Sequence, residues 1–271
     1  MPNEAKEDLR FGFGENWARY LEIVSQERIE EAVNSLQKLL GQDLQGKTFI
    51  DIGSGSGLFS LAARKLGATV HSFDFDPHSV ACTAELKRRF FPDDATWQVE
   101  RGSILDKEYL KRLRQFDIVY SWGVLHHTGD MWGAIRNAAS LVQPGGTFAI
   151  GIYNFKGGRR GTITWQKLKH WYCAAPKWQK ATWEYTYIAW NLLYLLLVGR
   201  NPVTMIREYK TKRGMSWFRD VTDWLGGYPY EAATPGEILE FVRNQFGFVL
   251  VKQNINCDLG VSEFVFGSLR R

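Results

Sequence analysis

The feature that most constrains the fold of this chain is a regular alternation of strand-like and helix-like stretches over residues 47–154. Short apolar runs rich in β-branched and aromatic residues predict strands, and the stretches between them have helical periodicity. One of these helices is expected to begin near Asp130, which would be its N-cap. Repeated strand–helix units favour a parallel sheet that is covered on both faces. The predicted strands are 47–52, 69–74, 96–100, 116–121 and 147–153.

The residues outside this block fall into three further parts. An N-terminal part has apolar residues at helical spacing, and the part after the block has no strand pattern and reads as helical and aromatic. The C-terminal part returns to the earlier pattern, with a helix that opens at Thr234 and two strands that are joined by a turn. The predicted parts are 1–46, 47–154, 155–214 and 215–271, and the last two strands are 248–253 and 263–267.

The basic character of the chain belongs to one segment. The whole chain has 34 Lys and Arg against 29 Asp and Glu, but residues 156–213 alone hold 12 bases and two acids. The remainder therefore has 22 bases and 27 acids, so that it is acidic. The basic segment also contains five of the 11 tryptophans, and its composition predicts a specialised surface or lid rather than part of the sheet.

The cysteines and the N-terminus indicate a cytoplasmic protein. Cys82, Cys173 and Cys257 are scattered without metal-site spacing, which disfavours a disulfide framework or a zinc site and favours a reducing compartment. The first ten residues are charged and contain no apolar core, so we expect no signal peptide. The longest apolar run, 187–198, is too short to cross a bilayer and is interrupted by Asn191.

A glycine-rich turn at the end of the first predicted strand indicates a nucleoside site. Residues 53–57 have the spacing G-x-G-x-G, which differs from the G-x-G-x-x-G of dinucleotide folds. Asp51 precedes this turn, where its carboxylate would repel a pyrophosphate and attract a cation. Asp74 ends the second strand and is placed to accept hydrogen bonds from ribose hydroxyls. Two acids beside a glycine turn thus favour a nucleoside that bears a positive charge.

Four motifs in order resemble those of class I S-adenosylmethionine-dependent methyltransferases. They are FIDIGSGSG at 49–57, SFDFD at 72–76, FDIVYS at 116–121 and LVQPGG at 141–146. The sequence VLHH at 124–127 is similar to the subgroup that includes ubiquinone and menaquinone biosynthesis methyltransferases, which act on many small molecules. The resemblance implies a Rossmann-like α/β sheet of seven strands, mostly parallel with the last strand antiparallel, and a helical cap. It also implies S-adenosylmethionine as cofactor and S-adenosylhomocysteine as product.

The resemblance further implies the residues that hold the cofactor. The glycine turn and Asp51 would bind the methionine part, and Asp74 would bind the ribose. Phe75 would pack on the adenine, with Ser103 and Ile104 on its other side. The implied cofactor-binding set is Trp17, Asp51, Gly53, Ser54, Gly55, Gly57, Leu58, Asp74, Phe75, Ser103, Ile104, Ser121 and Trp122.

Two features of this implied pocket have alternatives: the acceptor for the adenine amino group and the position of the N-terminal segment. Many relatives carry an acid after the third strand that accepts from the adenine amino group, whereas this chain has Ser103 there and Asp106 further on. Either a serine, water or backbone group takes that role, or Asp106 lies closer than its position indicates. In related enzymes the N-terminal segment closes over the cofactor, and the glycines and aromatics of residues 11–17 suit such a lid. The alternative is an N-terminal segment that packs on the core.

The candidate catalytic residues are His126, His127 and Tyr153. Methyl transfer from a sulfonium is an in-line displacement, so the protein mainly aligns the reactants and excludes water. A hydroxyl or an acidic carbon must also lose a proton, and the ordinary pKa of histidine suits that task. We expect one of the two histidines to face the substrate, although both could be structural, and Tyr153 to hydrogen-bond the substrate. No third ligand accompanies the histidines, so no metal site is predicted.

The basic aromatic insert has three interpretations. It could lie on an anionic membrane surface, bind RNA, or form a plain helical lid with solvated cations. Its spread-out bases and the lack of a recognised RNA-binding module disfavour nucleic acid. We therefore predict a cytoplasmic methyltransferase that acts on a small aromatic or lipid-like acceptor, with O-methylation favoured over C- or N-methylation. The alternatives are an RNA methyltransferase and a non-catalytic cofactor-binding scaffold that acts through the insert.

Overall fold

A computed structural model describes residues 24–41, 43–158, 161–213 and 217–269. The helices are α1 (Gln26–Leu40), α2 (Leu58–Lys65), α3 (Pro77–Phe90), α4 (Lys107–Leu110), α5 (Met131–Ser140), α6 (Thr162–Ala174), α7 (Lys177–Leu197), α8 (Pro202–Arg213), α9 (Trp217–Gly226) and α10 (Pro235–Phe246). The strands are β1 (Thr48–Ile52), β2 (Thr69–Asp74), β3 (Trp97–Arg101), β4 (Phe116–Trp122), β5 (Val142–Tyr153), β6 (Val249–Asn254) and β7 (Val261–Gly267). Residues 11–17, which carry the predicted N-terminal lid and include Trp17, lie outside the described residues.

The strands form one seven-stranded sheet in the order β3-β2-β1-β4-β5-β7-β6. Strand β1 pairs in parallel with both β2 and β4, whereas β7 pairs antiparallel with β5 and β6. The predicted fold class, a mostly parallel sheet with its last strand antiparallel, is therefore confirmed. Strands β2 and β3 lie on one side of β1, and β4 and β5 lie on the other, so the strand order reverses between β1 and β4. Sheets of this kind bind ligands in the crevice outside the carboxyl ends of the strands at that point.

Each face of the sheet carries its own hydrophobic core. Side chains alternate along a strand, so Phe49 of β1 packs into one cluster and Ile50 into the other. Helices α1, α2 and α3 cover the Phe49 side, and α5 and α10 cover the Ile50 side. Because both faces are covered, β1 is buried along nearly its whole length.

Helix starts agree with the sequence, but the start of β5 does not. Asp130 caps α5 by accepting from the Gly133 N–H at 3.0 Å, and Thr234 forms a capping box with Glu237 at the start of α10. Strand β5 was expected to begin at residue 147, yet its first pair with β4 joins Val142 to Phe116. The register then shifts, because the glycine turn before Thr147 interrupts the pairing without ending the strand.

Helices α6 to α9 form a helical cap over residues 162–226, with a hydrophobic cluster of its own. The buried residues of this cluster are Tyr172 from α6 and Trp217, Val221 and Leu225 from α9. Helix α9 lies beyond residue 214, where the predicted insert ends, and still packs on α6 and α7. Within the described ranges, no helix is long and apolar enough to cross a membrane.

Candidate active site

A cavity of about 1130 Å³ lies at the carboxyl ends of the central strands. Its strand side is formed by the glycine turn after β1 and by the segments that follow β2, β3, β4 and β5. Its opposite side is formed by the helical cap, through Tyr187, Asn191, Trp217, Asp220, Val221, Asp223 and Trp224. One side of the cavity therefore lies where sheets of this kind bind ligands, and the cap forms another side.

Asp51 lies on the strand side of this cavity and is held from behind by a buried hydroxyl chain. Its Oδ2 accepts from the Ser60 hydroxyl at 2.5 Å, and Ser60 accepts from Ser72 at 2.7 Å. The indole Nε1 of Trp97 donates to Ser72 at 2.9 Å and completes the chain. Burial raises the pKa of Asp51 to about 7, against the opposing effect of the Ser60 hydrogen bond. A cation in the cavity would therefore favour the ionised form of this carboxyl.

Asp74 ties the glycine turn to the end of β2. One carboxylate oxygen accepts from the Gly55 N–H at 2.9 Å, and the other accepts from the Asp76 N–H at 2.9 Å. Burial raises the pKa of Asp74, while these backbone hydrogen bonds act in the opposite direction. Each carboxylate oxygen has more than one acceptor site, so the group can still accept from ligand hydroxyls in the cavity.

The glycine turn is shaped by two positions where a side chain does not fit. Gly53 has a φ of 75°, and a Cβ there would lie 2.4 Å from the Val124 side chain. Gly57 has a φ of 79°, and a Cβ there would lie 2.8 Å from the Thr83 Cα. The turn therefore passes close to the segment after β4 and to α3, and only glycine fits at these two positions.

His126 is fully buried and does not line the cavity. Its Nδ1 accepts from the Tyr153 N–H at 3.3 Å, which places the proton of the neutral ring on Nε2. Burial holds the pKa of His126 well below its usual value. The Nε2 atom has no hydrogen-bond partner among the described residues. His126 is thus a neutral ring packed 4.1 Å from the Tyr153 ring, measured between centroids.

His127 lies on the cavity wall. Its Nδ1 is 2.6 Å from the carbonyl oxygen of Pro229, and because a carbonyl only accepts, Nδ1 carries the proton. In the neutral ring, Nε2 is therefore the basic nitrogen. The ring stands perpendicular to Tyr153 at 5.5 Å between centroids. Of the two histidines, the structure places His127 at the cavity and His126 beside it in the interior.

Ten of the predicted cofactor-binding residues come together on this wall: Asp51, Gly53, Ser54, Gly55, Leu58, Asp74, Phe75, Ser103, Ile104 and Trp122. Gly57 and Ser121 lie behind the wall, and the Ser121 hydroxyl donates to the Ile52 carbonyl between strands at 2.9 Å. Trp17 lies outside the described residues. Asp106 caps α4 by accepting from two backbone N–H groups, which leaves Ser103 as the polar side chain at the wall after β3.

Sequence reasoning did not anticipate the wall that the cap provides. Trp217, Asp220 and Trp224 recur at helical spacing on α9 and share its cavity-facing side. That spacing indicates that the three side chains share one face of a helix, but it does not indicate which part of the protein that face contacts. The same wall contains two acids, Asp220 and Asp223.

Lys169 is a buried cation behind the cap wall. Its Nζ donates to the Trp224 carbonyl and lies 4.2 Å from the Trp224 ring centroid and 4.8 Å from that of Tyr230. Burial lowers the pKa of Lys169 to about 7. The amine thus joins α6 to the segment that ends α9. In the described ranges, no group of three His, Cys, Asp or Glu side chains could hold a metal ion.

The sequence matches a known family. A family model described as a methyltransferase domain matches residues 24–185, which is more than half of the chain. The chain therefore belongs to the methyltransferase domain family, whose members are S-adenosylmethionine-dependent. The predicted family resemblance, enzyme class and cofactor are thereby confirmed.

Curated relatives match through part of their length. The chain is 31% identical over 114 residues to a ubiquinone biosynthesis O-methyltransferase of a Methylobacterium species, covering 42% of this chain and 43% of that protein. It is 33% identical over 125 residues to a ribosomal protein L11 methyltransferase of Photobacterium profundum, covering 42% of this chain and 36% of that protein. The match thus spans less than half the length of these relatives.

Solved structures share the fold at low sequence identity. One is a Burkholderia thailandensis 1,6-didemethyltoxoflavin-N1-methyltransferase with bound 1,6-didemethyltoxoflavin and S-adenosylhomocysteine (TM-score 0.53, 15% identity, 99% of this chain and 91% of that chain). Another is an S-adenosylmethionine-dependent methyltransferase of Aquifex aeolicus (TM-score 0.51, 10% identity, 93% of this chain and 98% of that chain). These similarities establish the architecture and say nothing of the acceptor.

Proposed function

We propose that this protein transfers a methyl group from S-adenosylmethionine to a hydroxyl oxygen of a small aromatic or lipid-like acceptor. The observation that carries the proposal is one continuous cavity that brings Asp51, Asp74 and the glycine turn together with His127 and an aromatic wall. The similarity to a ubiquinone biosynthesis O-methyltransferase supports the choice of a hydroxyl acceptor. The scattered cysteines, which are unpaired, support the cytoplasm as the compartment.

The strand side of the cavity fits the cofactor. Asp51 would hold the positively charged methionine part, since its buried carboxyl gains most from a nearby cation. Asp74 would accept from the ribose hydroxyls, and Phe75 would pack on the adenine beside Ser103 and Ile104. When bound, S-adenosylmethionine supplies an electrophilic methyl group on a good leaving group. This chain's own task is to align that methyl group with the acceptor and to exclude water.

His127 is the residue we assign as general base. As the acceptor oxygen attacks, its proton would pass to Nε2 of His127, because Nδ1 already donates to the Pro229 carbonyl. The same hydrogen bond fixes the ring and stabilises the imidazolium that forms. Tyr153, whose ring stands against His127 on the same wall, would orient the acceptor. His126 would act as packing that holds both side chains.

The far wall favours an uncharged aromatic acceptor over RNA. It presents the rings of Trp217, Trp224 and Tyr187, with the Asp220 and Asp223 carboxylates beside them. Among the described residues that line the cavity, none is lysine or arginine. Nucleic-acid sites depend on cations that neutralise phosphates, so this wall is poorly suited to RNA. Planar apolar molecules with hydroxyl groups match it better.

The test is a labelling experiment with separated acceptor pools. The purified protein is incubated with methyl-labelled S-adenosylmethionine and, separately, with lipid-soluble phenols, polar amines and transfer RNA. The proposal predicts label in the phenol pool as a stable methyl ether, and less label there with the Asp74→Ala variant at a cofactor concentration that does not saturate it. Label only in RNA, or only on nitrogen or carbon, would overturn the acceptor assignment. Binding of S-adenosylhomocysteine without transfer to any pool would favour a non-catalytic scaffold.

A further inference from the structure

We propose that the outer side of helix α7 docks on an anionic membrane surface, with the helix lying in the plane of that surface. The docking surface consists of the large apolar and aromatic side chains that α7 exposes: Trp178, Tyr185, Trp190, Leu193, Tyr194, Leu196 and Leu197. Its proposed occupant is a lipid bilayer that contains negatively charged head groups. Methyl transfer to a phenol does not by itself require this surface.

Helix α7 exposes an unusually apolar side. It has 21 residues and is therefore about 31 Å long, and none of its residues is buried. Trp183, Tyr187 and Leu192 pack inward on the cap cluster, so the exposed rings and leucines point to the opposite side. Soluble monomers seldom expose a contiguous apolar patch of this kind unless it serves binding.

The docking surface carries no charge along its length. Between Lys180 and Arg200 the sequence has one ionic side chain, Glu184. The Glu184 carboxylate accepts from the Tyr172 hydroxyl of α6, so it is engaged with the cap rather than with the outer side. An aqueous surface helix would place charged residues on its outer side, and α7 places aromatic and aliphatic residues there instead.

Cations flank the docking surface at both ends. Lys177 begins α7 and Arg200 follows its end, while the Lys180 ammonium lies over the Tyr172 ring of α6, 5.7 Å from the ring centroid. The surrounding segment, residues 156–213, has 12 bases and two acids. An apolar helix side with tryptophan and tyrosine rings and flanking bases is the pattern of an interfacial helix. Each base near an anionic leaflet contributes about 1 kcal/mol to binding.

This charge pattern separates a lipid surface from the other occupants. A second copy of the chain would bring two sets of flanking bases together, where they would repel. RNA would require cations among the stacking rings, and the stretch between Lys180 and Arg200 has none. An anionic bilayer meets both requirements, because its head groups pair with the flanking bases and its interface accepts the rings.

The position of α7 relates this surface to the cavity. Tyr187 and Asn191 of the same helix line the cavity, on the side away from the docking surface. The docking surface and part of the cap wall are thus opposite sides of one helix, so docking would hold the cavity of a methyltransferase for hydrophobic acceptors close to the lipid. This last step rests on the proposed function, whereas docking itself does not.

The experiment is cosedimentation of the full chain with vesicles of phosphatidylcholine alone and of phosphatidylcholine with phosphatidylglycerol. The double variant Leu193→Glu/Leu197→Glu changes side chains that are 48% and 76% exposed, and Val249→Glu/Val251→Glu, at side chains of β6 that are 54% and 69% exposed, is a control that adds the same charge. We expect the wild type and the control to bind the anionic vesicles, with added salt weakening binding. The double variant should bind more weakly by on the order of tenfold or more, because two exposed leucines that would enter the lipid interface become charged.

Other outcomes would overturn the proposal. They are equal binding of the double variant and the wild type, equal binding to both vesicle types, and no binding to anionic vesicles. A concentration-dependent dimer that only the double variant abolishes, without vesicle binding, would assign the surface to a second copy. Salt-dependent binding of transfer RNA in place of vesicles would assign it to nucleic acid. Methyl transfer to a detergent-dispersed phenol, measured in the same variants, shows separately whether the proposed function holds.

Discussion

Acidification should weaken the binding of S-adenosylhomocysteine about tenfold between about pH 8 and about pH 6, because it protonates Asp51. This ligand keeps the amino group of the cofactor and lacks the sulfonium, so the carboxyl and the ammonium remain as a pair. The buried carboxyl has a pKa of about 7, which lies well above the ordinary value. Its ionised form, which attracts the ammonium, is therefore lost within this interval.

The magnitude follows from the fraction of Asp51 that is ionised. With a pKa of about 7, roughly nine-tenths of the free protein carries the carboxylate at about pH 8, and roughly one-tenth carries it at about pH 6. If only the ionised form binds well, affinity falls by that ratio, which corresponds to about 1.4 kcal/mol. Burial raises the pKa of Asp74 as well, so the Asp51→Asn variant is needed to separate the two carboxyls.

Calorimetry in two buffers of different ionisation enthalpy measures both affinity and proton release. The wild type should release part of a proton on binding near neutral pH, and Asp51→Asn should show a smaller release and a flatter pH dependence. Equal affinity of the wild type at the two pH values would refute the reasoning. So would an unchanged pH dependence in Asp51→Asn, since the titrating group would then lie elsewhere.

Three buried ionisable groups, Asp74, Asp51 and Lys169, lead to further predictions. Asp74→Ala should lower the affinity for S-adenosylhomocysteine about 10- to 100-fold by calorimetry, because it removes hydrogen bonds of a charged group to the ligand and to the Gly55 N–H. Asp51→Asn should raise the free energy of unfolding of the ligand-free protein at about pH 8, since the raised pKa means that the folded state resists ionisation there. Lys169 has a lowered pKa of about 7, so the unfolded chain binds more protons above that pH, and stability should rise as pH rises from about 7 to about 9. Denaturant unfolding should show this rise in the wild type and a smaller one in Lys169→Met.

Much of the fold could be predicted because its signals are local. The apolar run of β1, the Asp130 cap and the Thr234 capping box each depend on residues within one turn or strand. The start of β5 could not be predicted in the same way. Pairing between Val142 and Phe116 depends on how the glycine turn lies against the neighbouring strand, and that is a long-range contact.

The candidate site likewise has parts that could be predicted from the sequence and parts that could not. Parallel strands end at one edge of the sheet, so Asp51 and Asp74 could be expected to meet from their positions alone. The difference between His126 and His127 depends on the Pro229 carbonyl, about a hundred residues away, and neither histidine's neighbours in sequence reveal it. The burial of Lys169 among aromatic rings likewise depends on the packing of α6 against α9. Its place in a basic segment does not distinguish a buried lysine from a solvated one.

The most direct test of the account compares methyl transfer in the His127→Asn variant with its affinity for S-adenosylhomocysteine. The acceptor is a phenol that the labelling experiment has identified, and His78→Asn, at an exposed histidine of α3, is the control. We expect His127→Asn to lower turnover about 10²- to 10⁴-fold and to leave the affinity nearly unchanged, while the control keeps both. Turnover within a few-fold of the wild type in His127→Asn would contradict the assignment of His127 as the base.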